Sequence, residues 1–139
     1  MESIFSSRLF YEVANVFFYV FHVVLILFNV IGWIWKGTRK LNLLTLGLTA
    51  FSWFALGIFY GWGYCFLTDW HWQVRLELGY PVKSASYIHF LVTSMFSIKV
   101  SESLVDVMTV VMFFAALPTS LFLNVRDLRR RRRKSATTT

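Results

Sequence analysis

Charge is scarce in this chain. Only 15% of its 139 residues are Asp, Glu, Lys or Arg, and only 7 of them are acidic. Soluble domains carry about 25% charged residues, so the chain has too little polar surface for an ordinary soluble fold. Cysteine is almost absent: Cys65 stands alone, which excludes an intramolecular disulfide. The first residues lack the basic segment and small-residue cleavage site of a removable signal, so the first apolar run reads as a retained anchor. No Ser–His–Asp order, zinc-protease helix or phosphate loop is visible. Those absences point away from catalysis.

Hydrophobic residues fill that space, at 57% of the chain, in runs longer than the roughly 20 residues that cross a bilayer. Six Trp and six Tyr accompany them, many near the ends of the runs, where amphipathic rings favour the headgroup region. The pattern predicts an all-α integral membrane protein. Its spans are placed at about residues 9–35, 41–67 and 103–125, with a basic cytoplasmic tail over 126–139. Residues 68–102 form an external cap. Within it, the Trp-rich segment 68–79 reads as a helix lying in the membrane interface, with Trp72, Leu76 and Gly79 on one face. Residues 85–98 are apolar but too short to span comfortably, so they are interfacial, re-entrant or buried against the other helices. The alternative is a four-helix membrane bundle. Pro118 is expected to kink the last span, and the chain beyond the basic run is expected to be disordered.

Basic residues set the expected orientation. The net charge is +7, and residues 126–139 contribute +6 of it through Arg126, Arg129, Arg130, Arg131, Arg132, Arg133 and Lys134 less Asp127. This run reads as a topology determinant and a binder of anionic lipid headgroups, not of nucleic acid. Lys36, Arg39 and Lys40 mark the first loop as cytoplasmic. Loop and tail share a side only with an odd number of spans. The expectation is therefore a multi-pass inner-membrane protein with its N-terminus outside and its C-terminus inside.

Polar residues within spans need a reason. Asn15, His22 and Asn29 recur every seven residues, nearly two turns, and so share one helical face that should meet the bundle or a partner. His22 reads either as a packing hydrogen-bonder or as a ligand for haem b, a quinone or a proton. The second and third spans hold no histidine, so a bis-histidine haem would need a second chain. In the second span Thr45, Thr49 and Ser52 make a weakly polar face. Gly47, Ala50, Gly57 and Gly61 make a small-residue face suited to close helix packing. Cys65, Thr68, Asp69, His71, Arg75, His89 and Asp106 converge on the external side. An ion-paired structural cap is expected there, with Arg75 or Lys83 reaching Glu102 and Asp106. The spacing of Cys65, Asp69 and His71 is no strong metal motif, so no metal site is assigned. Three roles follow: a non-catalytic accessory or structural subunit of an inner-membrane complex, a haem- or quinone-associated redox or proton-transfer protein, or a small membrane enzyme using the Cys-Asp-His-Arg cap.

The stretch Gly63-Tyr-Cys-Phe-Leu-Thr-Asp-Trp-His-Trp-Gln-Val-Arg75, followed by Gly79, resembles a motif of small bacterial membrane proteins grouped as domain of unknown function 2784. The motif's cysteine, leucine, threonine, arginine and glycine stand here at Cys65, Leu67, Thr68, Arg75 and Gly79. Phe66 replaces the group's usual proline, and His71 stands where many members have Glu. His22 ahead of Gly32, and His89 after Tyr87-Ile88, also resemble the group. The Thr-Asp-Trp-His-Trp form and the Asn124-Val-Arg-Asp127 ending are similar to its Bacteroidota branch. The resemblance covers roughly residues 15–127. It implies a defined outer cap and, since members are described as four-helix proteins, a membrane role for residues 85–98. It implies no activity. A histidine that the group carries early in its second span has no counterpart at Leu48 or Thr49.

Overall fold

A computed structural model of the chain describes residues 2–82 and 84–136, with side chains from Ser7 onward. The described residues are helical and include no strand. The long apolar runs become α1 (Glu2–Ile31), a composite second helix and α6 (Glu102–Ala136). The composite helix joins α2 (Arg39–Ala50), a π-helical stretch Phe51–Leu56 and α3 (Gly57–Tyr60). Three segments are long and apolar enough to cross a membrane: Ser7–Ile31, Arg39–Tyr60 and Glu102–Ala136. Two shorter helices, α4 (Phe66–Glu77) and α5 (Tyr87–Phe96), lie between the second and third of these. The 10-residue α5 would extend only about 15 Å, half of a bilayer core.

Glycines move the boundaries away from those expected. The first span stops at Ile31, four residues short of Trp35, because the chain turns at Gly32. A Cβ on Gly32 would lie 2.5 Å from the Phe28 carbonyl oxygen and 2.9 Å from Asn42 Nδ2. That close approach lets Asn42, fully buried, donate to Phe28 O at 2.7 Å. Thr38 Oγ1 donates to Gly32 O at 2.6 Å and Arg39 Nε to Trp33 O at 2.9 Å. The carbonyls that a helix C-terminus leaves orphaned thus find partners in the following turn. The second span ends at Tyr60 rather than Leu67, because Gly61 takes φ 109° and Gly63 φ 81°, left-handed values that disfavour other residues. The third runs unbroken through Pro118 and the arginine run to Ala136. The basic segment is therefore helical; of the polar end expected to be disordered, Ser135 and Ala136 continue the helix and residues 137–139 lie outside the described ones. At 35 residues α6 is roughly 52 Å long, so a bilayer core of roughly 30 Å covers only part of it.

Two small cores hold the bundle. Leu46, Phe113 and Ala116 join α2 to α6, with Trp33, Trp53 and Leu117 against them. Tyr87, Phe90 and Leu91 of α5 pack with Tyr19, Val23, Ile26 and Trp72. Large apolar side chains elsewhere face outward: Phe59 is 81% exposed and Ile58 73%. Such an outer surface suits hydrocarbon rather than water.

The first loop and the start of the tail meet at one end of the molecule. Arg39 Nη1 lies 2.7 Å from Asp127 Oδ2, and Asn124 Nδ2 donates to Arg39 O at 3.0 Å. This tail end carries the basic residues of loop and tail together, as three spanning helices require. Helices α4 and α5 form the opposite, cap end.

Candidate functional site

The cap is built where α4 lies against α1. α4 buries His71 and Arg75, while Leu76 is 57% exposed. The inward face therefore runs through Thr68, His71, Trp72 and Arg75, not through Trp72, Leu76 and Gly79. That helix docks on α1.

His71 has no exposed surface. Its Nε2 lies 2.9 Å from Asn15 Oδ1, which only accepts, so Nε2 carries the proton. Its Nδ1 then accepts from the Tyr87 hydroxyl at 2.5 Å. Phe18 stacks on the imidazole at 5.5 Å and Tyr19 meets it edge-on at 4.8 Å. Burial, reinforced by the nearby Arg75 cation, lowers the His71 pKa to about 4. Burial also pushes the Tyr87 hydroxyl above its ordinary value, which suits its role as donor.

Arg75, one turn later, is 8% exposed. Its Nη1 donates to the Tyr19 hydroxyl at 3.0 Å. Its guanidinium sits 4.6 Å from the Phe90 ring centre and 5.1 Å from that of Tyr80, with Trp72 at 6.0 Å. No carboxylate among the described residues pairs with it, and its Nε is buried without an acceptor. Arg75 thus does not reach Glu102 or Asp106 as expected, and aromatic faces stand in for the acid. Lys83, the other expected partner, lies outside the described residues.

The acids bind serines instead. Glu102 Oε1 accepts from the Ser86 backbone N–H at 2.6 Å and from Ser84 Oγ at 3.0 Å. Asp106 accepts from Ser86 Oγ. Ser86 also caps α5 by accepting from the His89 N–H at 3.4 Å. His89 lies 2.9 Å from Ser84 Oγ through Nδ1 and donates to Val100 O at 2.9 Å through Nε2. The described part of the cap is therefore held by hydrogen bonds and rings, not by the ion pairs expected.

The α1 stripe points inward at each step. Asn15 meets His71. His22 donates from Nδ1 to Phe18 O at 3.2 Å and faces Thr68 Oγ1 at 3.4 Å through Nε2. Asn29 donates to Thr49 Oγ1 at 3.1 Å. Ser52 donates to Tyr64 O at 2.9 Å, tying the π-helical stretch to the loop before α4. Cys65 starts α4 as a free, half-buried thiol, and Asp69 accepts from Gln73 at 2.9 Å. Among the described residues no group of three or more His, Cys, Asp or Glu is placed to hold a metal ion.

Beside this cap a cavity of about 740 Å³ opens between the helices. Leu25, Ile26, Trp53, Phe54, Val110 and Phe114 line its apolar part, and Asp69, Ser86, Glu102 and Asp106 line its polar part. At the tail end a second groove runs from Pro118, Leu121 and Phe122 to Arg126, Arg129 and Arg130 along one face of α6.

Several structural residues had no functional reading in the sequence: Asn42, Asn124, Tyr87, Ser84 and Ser86. Asn42 and Asn124 sit in apolar helices, and the intramembrane polar rule that singled out Asn15 and Asn29 would have found them. The family described as Protein of Unknown function (DUF2784) matches residues 12–125. No curated protein and no solved structure matches the chain.

Proposed function

The chain belongs to the DUF2784 family of proteins of unknown function, and we propose that it serves as a non-catalytic accessory subunit of an inner-membrane complex. One observation carries this reading: both ring nitrogens of His22, His71 and His89 are engaged by the chain's own groups. None is left as a general base or a metal ligand without breaking a contact that holds the cap. The same engagement argues against haem, since ligation would replace one of those bonds. Outward-facing apolar residues of α2 supply the surface for a partner helix. A Cβ on Gly47 meets nothing within 4 Å, so the small-residue face is open there, flanked by Leu44, Leu48 and Phe51. The arginine groove of α6 supports a reading in which the tail binds anionic lipid at the cytoplasmic surface and, with three spans, the N-terminus is outside.

Native mass spectrometry of the protein released in its surrounding lipid tests the subunit reading. A stoichiometric complex with another membrane chain is expected, and Gly47→Leu should abolish it while leaving the thermal midpoint of the isolated chain unchanged. A chain recovered only as a monomer, or a complex indifferent to Gly47→Leu, overturns the assignment.

A further inference from the structure

The cavity beside the cap has a mixed lining, in which His22, Asn29 and Thr49 stand among the apolar side chains. Leu25, Ile26, Trp53, Phe54 and Phe114 give it hydrocarbon walls. Its polar end presents three carboxylates, Asp69, Glu102 and Asp106, and among the described residues no Lys or Arg lines it. None of the three forms an ion pair with a described residue. Asp69 and Asp106 accept from neutral glutamine, tyrosine and serine groups, while Glu102 accepts from Ser84 and Ser86 with His89 nearby. Tyr60, Trp62 and Tyr64 add aromatic faces to the same lining. The π-helical stretch Phe51–Leu56 contributes Trp53 and Phe54, so a widened helical turn forms part of the wall.

We propose that this cavity binds an amphiphile with an ammonium head and a hydrocarbon tail. Its volume of about 740 Å³ falls within the range of roughly 300–1,000 Å³ typical of small-molecule sites. Carboxylates and ring faces both attract a quaternary or primary ammonium. A fatty-acid carboxylate would meet three like charges, and a phosphate-bearing lipid would find no cation in the lining. A neutral quinone would fill the apolar part but leave the carboxylates unanswered.

The test uses the whole chain in dodecyl maltoside, whose neutral tail competes for the apolar part alone. Dodecyltrimethylammonium, dodecanoate, a decyl-tailed quinone and phosphatidylethanolamine are each added, with binding read by native mass spectrometry and by Trp fluorescence. Saturable one-to-one binding of the alkylammonium is expected, with weaker or no binding of the other three. Asp69→Asn and Asp106→Asn should each weaken it roughly fivefold to tenfold. Val110→Trp, which fills the cavity from an exposed position on α6, should abolish it. Asp69 accepts from Gln73 on its own helix and from the Tyr64 hydroxyl, and asparagine keeps an acceptor oxygen for both, so Asp69→Asn keeps the fold if Asp106→Asn does not. Dodecanoate, quinone or phosphatidylethanolamine binding as tightly as the ammonium overturns the proposal, as does unchanged affinity in Asp69→Asn.

Discussion

Arg39 and Arg75 are equally buried, each 8% exposed, yet they are accommodated differently. At the tail end Arg39 has an acid at 2.7 Å and two backbone carbonyls, Trp33 O and Ile34 O. At the cap end Arg75 has one tyrosine hydroxyl, four ring faces and an unsatisfied Nε. The first arrangement ties three parts of the chain together: the end of α1, the start of α2 and the start of the basic run. The second ties α4 to α1 and α5 mainly through rings. A buried cation is thus a staple at one end and a guest in an aromatic cage at the other.

Leucine at each position breaks the comparison most sharply. Arg39→Leu removes the shorter of two cation contacts of Asp127, leaving Arg126 at 3.9 Å, and leaves Trp33 O and Ile34 O without that donor, so the loss of about 3 kcal/mol comes mainly from the unsatisfied carbonyls. Arg75→Leu removes a charge that has no counter-charge and leaves only the Tyr19 hydroxyl short of a donor. It should change stability by less than about 1 kcal/mol, because apolar replacement of a buried ion is often neutral. Thermal or denaturant unfolding in detergent measures both. Equal losses would mean that Arg75 has a counter-ion, and the cage would then be the wrong description.

His71→Ala should follow, at about 2–4 kcal/mol, through a cavity and two stranded partners, Asn15 Oδ1 and Tyr87 OH. Its effect should be local to the cap. Hydrogen exchange should rise in Phe66–Glu77 and Tyr87–Phe96 and stay unchanged at the Arg39–Asp127 junction. Uniform loosening across both ends would mean that the bundle unfolds as one unit and the two ends are not separable.

Much of this was legible in the sequence because hydrocarbon allows few solutions. Run length gave three spanning helices, and the shared charge of residues 36–40 and 126–134 put loop and tail at one end, where Arg39 and Asp127 meet. The seven-residue recurrence of Asn15, His22 and Asn29 gave the inward stripe of α1. What failed was partner choice. A carboxylate near an arginine invites an ion pair, and nothing in the order of residues shows that Ser84 and Ser86 reach Glu102 and Asp106 first. The inward face of α4 was misread for a related reason. Trp72 and Leu76 look apolar, but burial follows the partners on α1, which select His71 and Arg75. Helix ends were set by Gly32 and Gly61, whose turns depend on contacts from Asn42 and on left-handed backbone that hydropathy does not encode.

Acid also distinguishes the two ends, through His71. In the folded protein His71 stays neutral down to about pH 4, whereas in the unfolded chain it takes up a proton near its ordinary value of 6.5. Between those values the unfolded state binds more protons, so stability falls as pH drops from about 6.5 and the loss levels off below about 4. Above pH 6.5 the group contributes no slope. Arg75 is the second cause of the depression, after burial. Arg75→Leu should therefore raise the lower limit of the window and shrink the total loss. His71→Gln retains hydrogen-bonding capacity and cannot titrate. Subtracting its melting profile from that of the native chain between pH 7 and about 4.5 isolates the cap histidine from every other group. A difference that grows as pH falls, and that is smaller in the Arg75→Leu background, ties acid sensitivity to the caged cation. Parallel profiles for native chain and His71→Gln would mean that His71 takes its proton without leaving Asn15 and Tyr87, and that the neutral network is not what holds α4 on α1.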